Sequence, residues 1–227
     1  MIIEPTILFE NISSAISKLR VIPVILLKNG RIVQSKNFNR HQVLGTPSVI
    51  VGRLSNWFAD ELIFLDISRK KVYDLNRNDL NFSNHNNILA IIKEISKKCF
   101  MPLNVGGGIS RLEDIEQRLS CGADKVTINS HAINNPEFVE IAAKEFGSQC
   151  IVISIDVKKE KNMWRAYTNC GKIKNEDVLK VSKNMENSGA GEILINSIDN
   201  DGAGKGYDIE LNKKIVNLVN IPRSEER

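Results

Sequence analysis

Two distant segments of the chain spell nearly the same strand, Ala59-Asp60-Glu61-Leu62-Ile63-Phe64-Leu65-Asp66-Ile67 and Ala190-Gly191-Glu192-Ile193-Leu194-Ile195-Asn196-Ser197-Ile198-Asp199. Each has an acidic residue at its start, an apolar run too continuous for a sheet with one wet face, and an Asp where the run ends. That pattern predicts a parallel strand buried on both faces. A third version, Ala123-Asp124-Lys125-Val126-Thr127-Ile128-Asn129, carries Lys at the acidic position and ends in Asn. Repeated βα units with polar strand ends predict an α/β chain of the (βα)8 barrel type.

At 227 residues and 42% hydrophobic, the chain is long enough for one barrel-like core. The domain is placed at residues 20–222, after an amphipathic lead-in over 1–19 and before a charged pentapeptide at 223–227. The net charge of +4 comes from short clusters such as Arg69-Lys70-Lys71 and Lys158-Lys159, without interleaved aromatics. They read as solvated surface, not as a nucleic-acid footprint, although phosphate-bearing ligands suit a basic molecule. No apolar stretch reaches membrane-spanning length, and the start Met1-Ile2-Ile3-Glu4-Pro5 lacks the basic residues of a secretory signal, so a cytoplasmic location is expected. Cys99, Cys121, Cys150 and Cys170 form no Cys-x-x-Cys pair and are expected to be buried, reduced thiols. Neither a metal nor an organic cofactor is indicated.

Along the chain the strands are placed at 20–27, 61–67, 101–105, 125–128, 150–155 and 192–198, with helices at 88–99, 136–146 and 175–187. A polar loop is expected over 31–46 and an Asn-rich connection over 69–87. This makes six βα units, two strands short of a closed barrel. By the internal repeat, Ile221-Pro222 should introduce a strand twin to the one after Met101-Pro102, yet Arg223-Ser224-Glu225-Glu226-Arg227 follows. The ending is read as a truncation or a shifted frame, because an open sheet exposes interior side chains along its edges.

Side chains two apart share a strand face. If Ile63 and Leu65 point inward, so does Glu61, and the equivalent inward residues on other strands include Arg20, Lys125 and Glu192. Two cations and two anions of matched parity can form a neutral ring at the barrel bottom, where pairing avoids the cost of lone buried charges. At the opposite end, Gly106, Gly107 and Gly108 lie between a strand and a helix start, where backbone N–H groups, the helix N-terminus and the polar Asn129 and Ser130 suit a phosphate. Asp156, at the end of the fifth strand, is the general acid/base candidate; Asp66, Asp199 and Asp201 are equally well read as holding loops or helix caps.

Arg31-Ile32-Val33, Val105-Gly106-Gly107-Gly108-Ile109, the three strand motifs, Phe146-Gly147-Ser148-Gln149 and Ser197-Ile198-Asp199-Asn200-Asp201-Gly202 together resemble HisF, the cyclase subunit of imidazole glycerol phosphate synthase, over about residues 20 to 222. The resemblance implies a (βα)8 barrel that docks a glutaminase (HisH-like) on its bottom face, receives ammonia through its interior and uses it at the top on a bisphosphorylated substrate. It implies that Arg20, Glu61, Lys125 and Glu192 are the ammonia gate, that Asp124 faces the glutaminase, and that Gly106 to Gly108, Asn129, Ser130 and Gly202 belong to phosphate binding.

Two departures stand out. The family pairs two acid/base aspartates at the ends of strands one and five; Asp156 matches the second, but Leu26 occupies the first. Loss of one positioned proton carrier costs about a hundred- to ten-thousand-fold in rate. A functional Lys of the first loop is replaced by Gln34. An intact gate under an altered top resembles the paralogous branch linked to surface polysaccharides, in which ammonia goes to a sugar amidotransferase acting on an acetamido group. Histidine biosynthesis, a non-catalytic docking scaffold and an inactive fragment are the competing readings.

Overall fold

The computed structural model describes residues 20–36, 38–57, 59–73 and 85–226; the lead-in over 1–19 and most of the Asn-rich connection lie outside the described residues. The chain opens with β1 (Val24–Lys28), β2 (Arg31–Lys36) and β3 (Arg40–Gly45), then α1 (Pro47–Asn56) and β4 (Leu62–Asp66). Next come α2 (Ile88–Ile95), β5 (Leu103–Gly106), α3 (Leu112–Ser120), β6 (Lys125–Ile128), the short α4 (Ser130–Asn134) and α5 (Pro136–Phe146). The second half holds β7 (Ile151–Glu160), β8 (Met163–Thr168), β9 (Ile173–Asp177), α6 (Val178–Asn187), β10 (Glu192–Ser197), α7 (Ile209–Val216) and β11 (Arg223–Glu226).

Strands β11, β10, β7, β6, β5, β4 and β1 lie side by side in that order, every neighbour parallel. Six of them lead into helices, so the expected βα units are present. The sheet curls, and alternation along β4 shows how. Leu62 and Phe64 pack outward with Ile88, Ile91, Ile92 and Ile95 of α2, while Ile63 packs inward with Val152 of β7 and Leu194 of β10. Strands so far apart in the order touch only if the sheet wraps around a common interior. Fully burying each such Ile, Leu or Phe stabilises the fold by about 1.5–3 kcal/mol.

The helices follow the same economy. In α2 the four isoleucines at i, i+3, i+4 and i+7 form one apolar stripe, and Asn87 caps its start by accepting from Ala90 N at 2.9 Å. Asp177 caps α6 in the same way, accepting from Leu179 N at 2.8 Å.

Three segments differ from expectation. The polar loop over 31–46 is an antiparallel hairpin, β2–β3, because Ile32 and Val33 bury their side chains against the sheet. Strand β7 continues beyond its expected end, and β8 and β9 pair back on it as an antiparallel excursion; Trp164 and Ala166 of β8 join the core that α5 and α6 share. The charged tail is neither loose nor foreign to the sheet. Residues 223–226 pair with β10 as a seventh parallel strand, with Ser224 and Glu226 sharing one face and Arg223 and Glu225 the other. Among the cysteines, all four are free thiols, but Cys170 is exposed and the other three are only half-buried. No helix among the described residues is long and apolar enough to cross a membrane.

Candidate functional site

At the N-terminal ends of the parallel strands the four charges singled out by parity close into a ring. Arg20 donates to Glu61 Oε2 at 3.3 Å and to Glu192 Oε1 at 3.2 Å. From the other side, Lys125 Nζ reaches the same carboxylates at 2.7 and 3.0 Å. Signs alternate around the circuit, and Glu61 is only 3% exposed. Burial alone would lower the Lys125 ammonium, but the hydrogen bonds and charges of Glu61 and Glu192 outweigh it and hold its pKa above the usual lysine range. The second oxygen of Glu61 is buried and makes no hydrogen bond among the described residues. Beyond the ring the interior is apolar, formed by Ile63, Val152 and Leu194 with Ile22, Val24 and Leu65.

The residue before each inward charge has its own work. Asp60 accepts from Val21 N at 2.9 Å and Asp124 from Leu103 N at 2.8 Å, so each ties its strand's start to the preceding one. Asp124 remains exposed on the bottom face.

The other end of the interior opens into a cavity of about 530 Å³ at the strand C-termini. Gly107, Gly108, Asn129, Ser130 and Asp156 all line it, together with Leu26. Gly106 sits just below; a Cβ there would lie within 3 Å of Leu65 and Thr127. At Gly107, with φ of +105°, a Cβ would fall 2.1 Å from the Asp66 carbonyl oxygen, so only glycine fits. Arg118 of α3, buried, donates to the Gly107 carbonyl at 2.7 Å. In a trans peptide the carbonyl and the following N–H point opposite ways, which turns the N–H of Gly108, itself a cavity-lining residue, away from Arg118. The helix start contributes less than expected, because Asp114 already accepts from Ser110 N at 3.1 Å and Arg111 N at 3.2 Å. Ser130 donates to Asn129 Oδ1 at 2.9 Å and accepts from Asn169 N at 2.9 Å. Gly202 stands apart from the cavity lining; it is the contact point of its turn with β2, where a Cβ would meet Ser35 O at 2.4 Å.

Burial pushes the Asp156 carboxyl up to about 7, although the Asn129 and Asn196 amides oppose the rise; the charge of Asp201 adds to it. A carboxyl poised there can both give and take a proton at neutral pH. The other strand-end aspartates hold loops. Asp66 accepts from Ser68 N at 2.9 Å and Tyr73 OH at 2.6 Å, Asp199 from Lys159 N at 2.8 Å, and Asp201 from Ser35 Oγ and Phe38 N at 2.8 and 2.9 Å. Those last two bonds pull the β2–β3 hairpin over the cavity, and Phe38 there approaches Gly171 of the β8–β9 turn.

The sequence pattern missed Arg118, the hairpin residues Ser35, Phe38 and His41, and Glu226, all but Arg118 on the cavity wall. Glu226 had a readable signal. The repeat that pairs Met101-Pro102 with Ile221-Pro222 places a strand at 223, and period-two counting then turns Glu226 inward.

A sequence profile of the family described as "Histidine biosynthesis protein" matches residues 20–224. A protein of Vibrio vulnificus (strain YJ016), named as imidazole glycerol phosphate synthase subunit hisF2, is 41% identical over 206 residues, 90% of this chain and 72% of its own length. The imidazole glycerol phosphate synthase subunit HisF of Campylobacter concisus (strain 13826) is 40% identical over 204 residues, covering 89% of this chain and 76% of the relative. This chain belongs to the HisF family. Another HisF, from Dehalococcoides mccartyi (strain BAV1), stands at 39% identity over 204 residues, with the same coverage. Membership of the HisF family agrees with the curled parallel sheet and its six βα units.

Proposed function

We propose that this chain is a HisF-type synthase subunit that takes ammonia from a glutaminase seated on the strand N-termini and delivers it to a phosphorylated acceptor in the cavity at the strand C-termini. The observation that carries the reading is axial. The charge ring of Arg20, Glu61, Lys125 and Glu192 stands at one end of an apolar interior, and the cavity with Asp156 stands at the other. Neutral ammonia crosses an apolar lining at little cost, whereas ammonium does not. The Gly107–Gly108 turn, beside Asn129 and Ser130, supplies neutral backbone donors for a phosphate, and Asp156 supplies proton transfer.

Leu26 supports the finer reading, a paralogue serving sugar amidination in surface-polysaccharide assembly with a sugar amidotransferase downstream. It lines the cavity where the family's first acid/base aspartate belongs and carries no proton, so ammonia delivery survives while ring closure is impaired. The names of the relatives support the second reading, cyclisation in histidine biosynthesis. Complementation of a histidine auxotroph lacking the cyclase separates them. Failure to rescue is expected; full rescue overturns the paralogue reading. Glutamine-dependent ammonia transfer, measured with the purified glutaminase partner and blocked by a substitution in the ring, tests the shared part of both.

A further inference from the structure

The cavity at the strand C-termini has two chemically opposed ends. On the β5 side stands the Gly107–Gly108 turn with its backbone N–H groups, beside Asn129, whose amide donates to Ser154 O at 3.0 Å, and Ser130, whose hydroxyl donates to Asn129. On the β11 side stands Glu226. The register fixes its place: Asn196 of β10 pairs with Asp156 of β7 on one flank and with Glu226 of β11 on the other. Residues at one level of adjacent parallel strands face the same way, so acid, amide and acid form a row on the cavity wall, with the Asn196 amide donating to Asp156 Oδ1 at 3.4 Å. Glu225 confirms the alternation from the opposite face, where it accepts from Asp208 N at 2.9 Å and from Asn212 of α7.

Among the described residues Glu226 has no comparable partner. Its Oε2 is buried and makes no hydrogen bond among the described residues, although the side chain lines the cavity. Burial raises its carboxyl to about 8, and the charges of Asp201 and Asp156 add to the rise. A buried acceptor without a donor is costly, and a ligand that brings a hydroxyl or an amine relieves that cost. A ligand that brings a second phosphate does the reverse whenever Glu226 is ionised.

We infer that Glu226 is a specificity-determining residue: the cavity takes a sugar monophosphate, its phosphate at the Gly107–Gly108 end and its hydroxyl or amino groups against Glu226, and rejects a bisphosphate. This rests on the phosphate end of the function proposed above. It deepens that reading by naming the acceptor's class.

The test is calorimetric titration of the purified chain with inorganic phosphate, glucose 6-phosphate and fructose 1,6-bisphosphate at pH 7 and pH 9, for wild type, Glu226→Gln and Glu226→Ala. The sugar phosphates, with a second pKa of about 6, are largely dianionic at both pH values, so the change with pH in their ratio reports the protein, and inorganic phosphate, which itself titrates at about pH 7, serves only to show that the phosphate end binds. Wild type should favour glucose 6-phosphate over the bisphosphate by about tenfold at pH 9, less at pH 7, where Glu226 holds its proton. Both variants, checked for wild-type melting, should lose the larger part of that pH dependence and keep only the part that Asp156, ionising near 7, contributes. Equal or tighter binding of the bisphosphate by wild type at pH 9, or an unchanged ratio in both variants, overturns the inference while leaving the phosphate site standing. If inorganic phosphate and both sugars fail to bind, the phosphate end itself is wrong and the inference falls with it.

Discussion

Asp201, in the turn after β10, accepts a hydrogen bond from Ser35 Oγ of β2 at 2.8 Å, and the same carboxylate oxygen takes the Phe38 N–H at 2.9 Å. One side chain thus ties the β2–β3 hairpin to the far side of the cavity mouth. Asp201→Ala removes both bonds, each hydrogen bond to a charged group contributing about 1.5–3 kcal/mol. Faster amide hydrogen exchange is expected across residues 31–45, with β5 and β6 unchanged. Uniform acceleration, or none, would show that the hairpin is held by Ile32 and Val33 packing alone.

The ring predicts a stability effect of definite sign. Lys125→Met leaves Glu61 and Glu192 with Arg20 as their sole cation in the ring, and breaking a buried ion pair from one side costs about 3 kcal/mol or more. Urea unfolding at pH 7 should show that loss, and Glu61→Gln added to Lys125→Met should recover part of it by removing the surplus charge. In the intact protein the Lys125 contribution is fully present below its ordinary value of 10.5 and is lost only as pH rises through the elevated folded value. Stability carried by Lys125 should therefore stay flat from pH 6 to 10. A Lys125→Met protein as stable as wild type would mean that the ring stores no net pairing energy.

What could be read from the chain alone was whatever strand periodicity governs. Counting by two from Ile63 placed Glu61, and the same parity placed Arg20, Lys125 and Glu192, because residues on parallel buried strands have one register available to them. The Gly106 to Gly108 turn was legible as a glycine triplet between a strand and a helix start, and the structure adds why Gly107 is needed, since Asp66 leaves no room for a Cβ there. Hairpins were not legible: Arg31-Ile32-Val33-Gln34-Ser35-Lys36 is polar enough to look like loop, and Asp201, which accepts from Ser35 and Phe38, lies far along the chain. Arg118 and Glu226 were overlooked for different reasons. Arg118 acts through a backbone carbonyl, which leaves no pattern in sequence, and the charges around Glu226 disguise a strand whose outward face is simply wet or paired to α7.

Asp156 makes folding stability fall as pH rises. In the unfolded chain its carboxyl ionises near 3.8, and in the folded protein near 7, so the neutral buried form contributes fully below 3.8 and its contribution is lost between those values. The shift sets an upper bound on the order of 4 kcal/mol. Asp156→Asn should flatten the profile over that window and be more stable than wild type at pH 8 by about 2–4 kcal/mol. Glu226, raised to about 8, has the same sign and leaves a residual slope. Chemical denaturation at pH 5 and pH 8 measures both. A variant whose slope matches wild type would place the Asp156 titration elsewhere.

The bottom face carries three apolar side chains that the fold does not use. Val21 is 71% exposed, Trp57 74% and Phe100 92%. They lie on one rim: Val21 and Asp60 exchange backbone and side-chain hydrogen bonds, and Ser55, two residues before Trp57, donates to Lys98 O, two residues before Phe100. Exposed aromatics at the same end of the strands as the charge ring have the composition of interface anchors, and under the proposed function their occupant is the glutaminase. Trp57→Ser and Phe100→Ser should leave the melting temperature nearly unchanged, because neither side chain is buried. Each should weaken the glutaminase complex by about tenfold or more, an anchor truncation being worth about 1.4–2 kcal/mol. Binding measured by surface plasmon resonance, with Ile141→Ser, an exposed site on α5, as the off-face control, decides the matter: affinity lost only in the control would move the docking face to the helical side, and unchanged affinity in all three would remove these side chains from the interface.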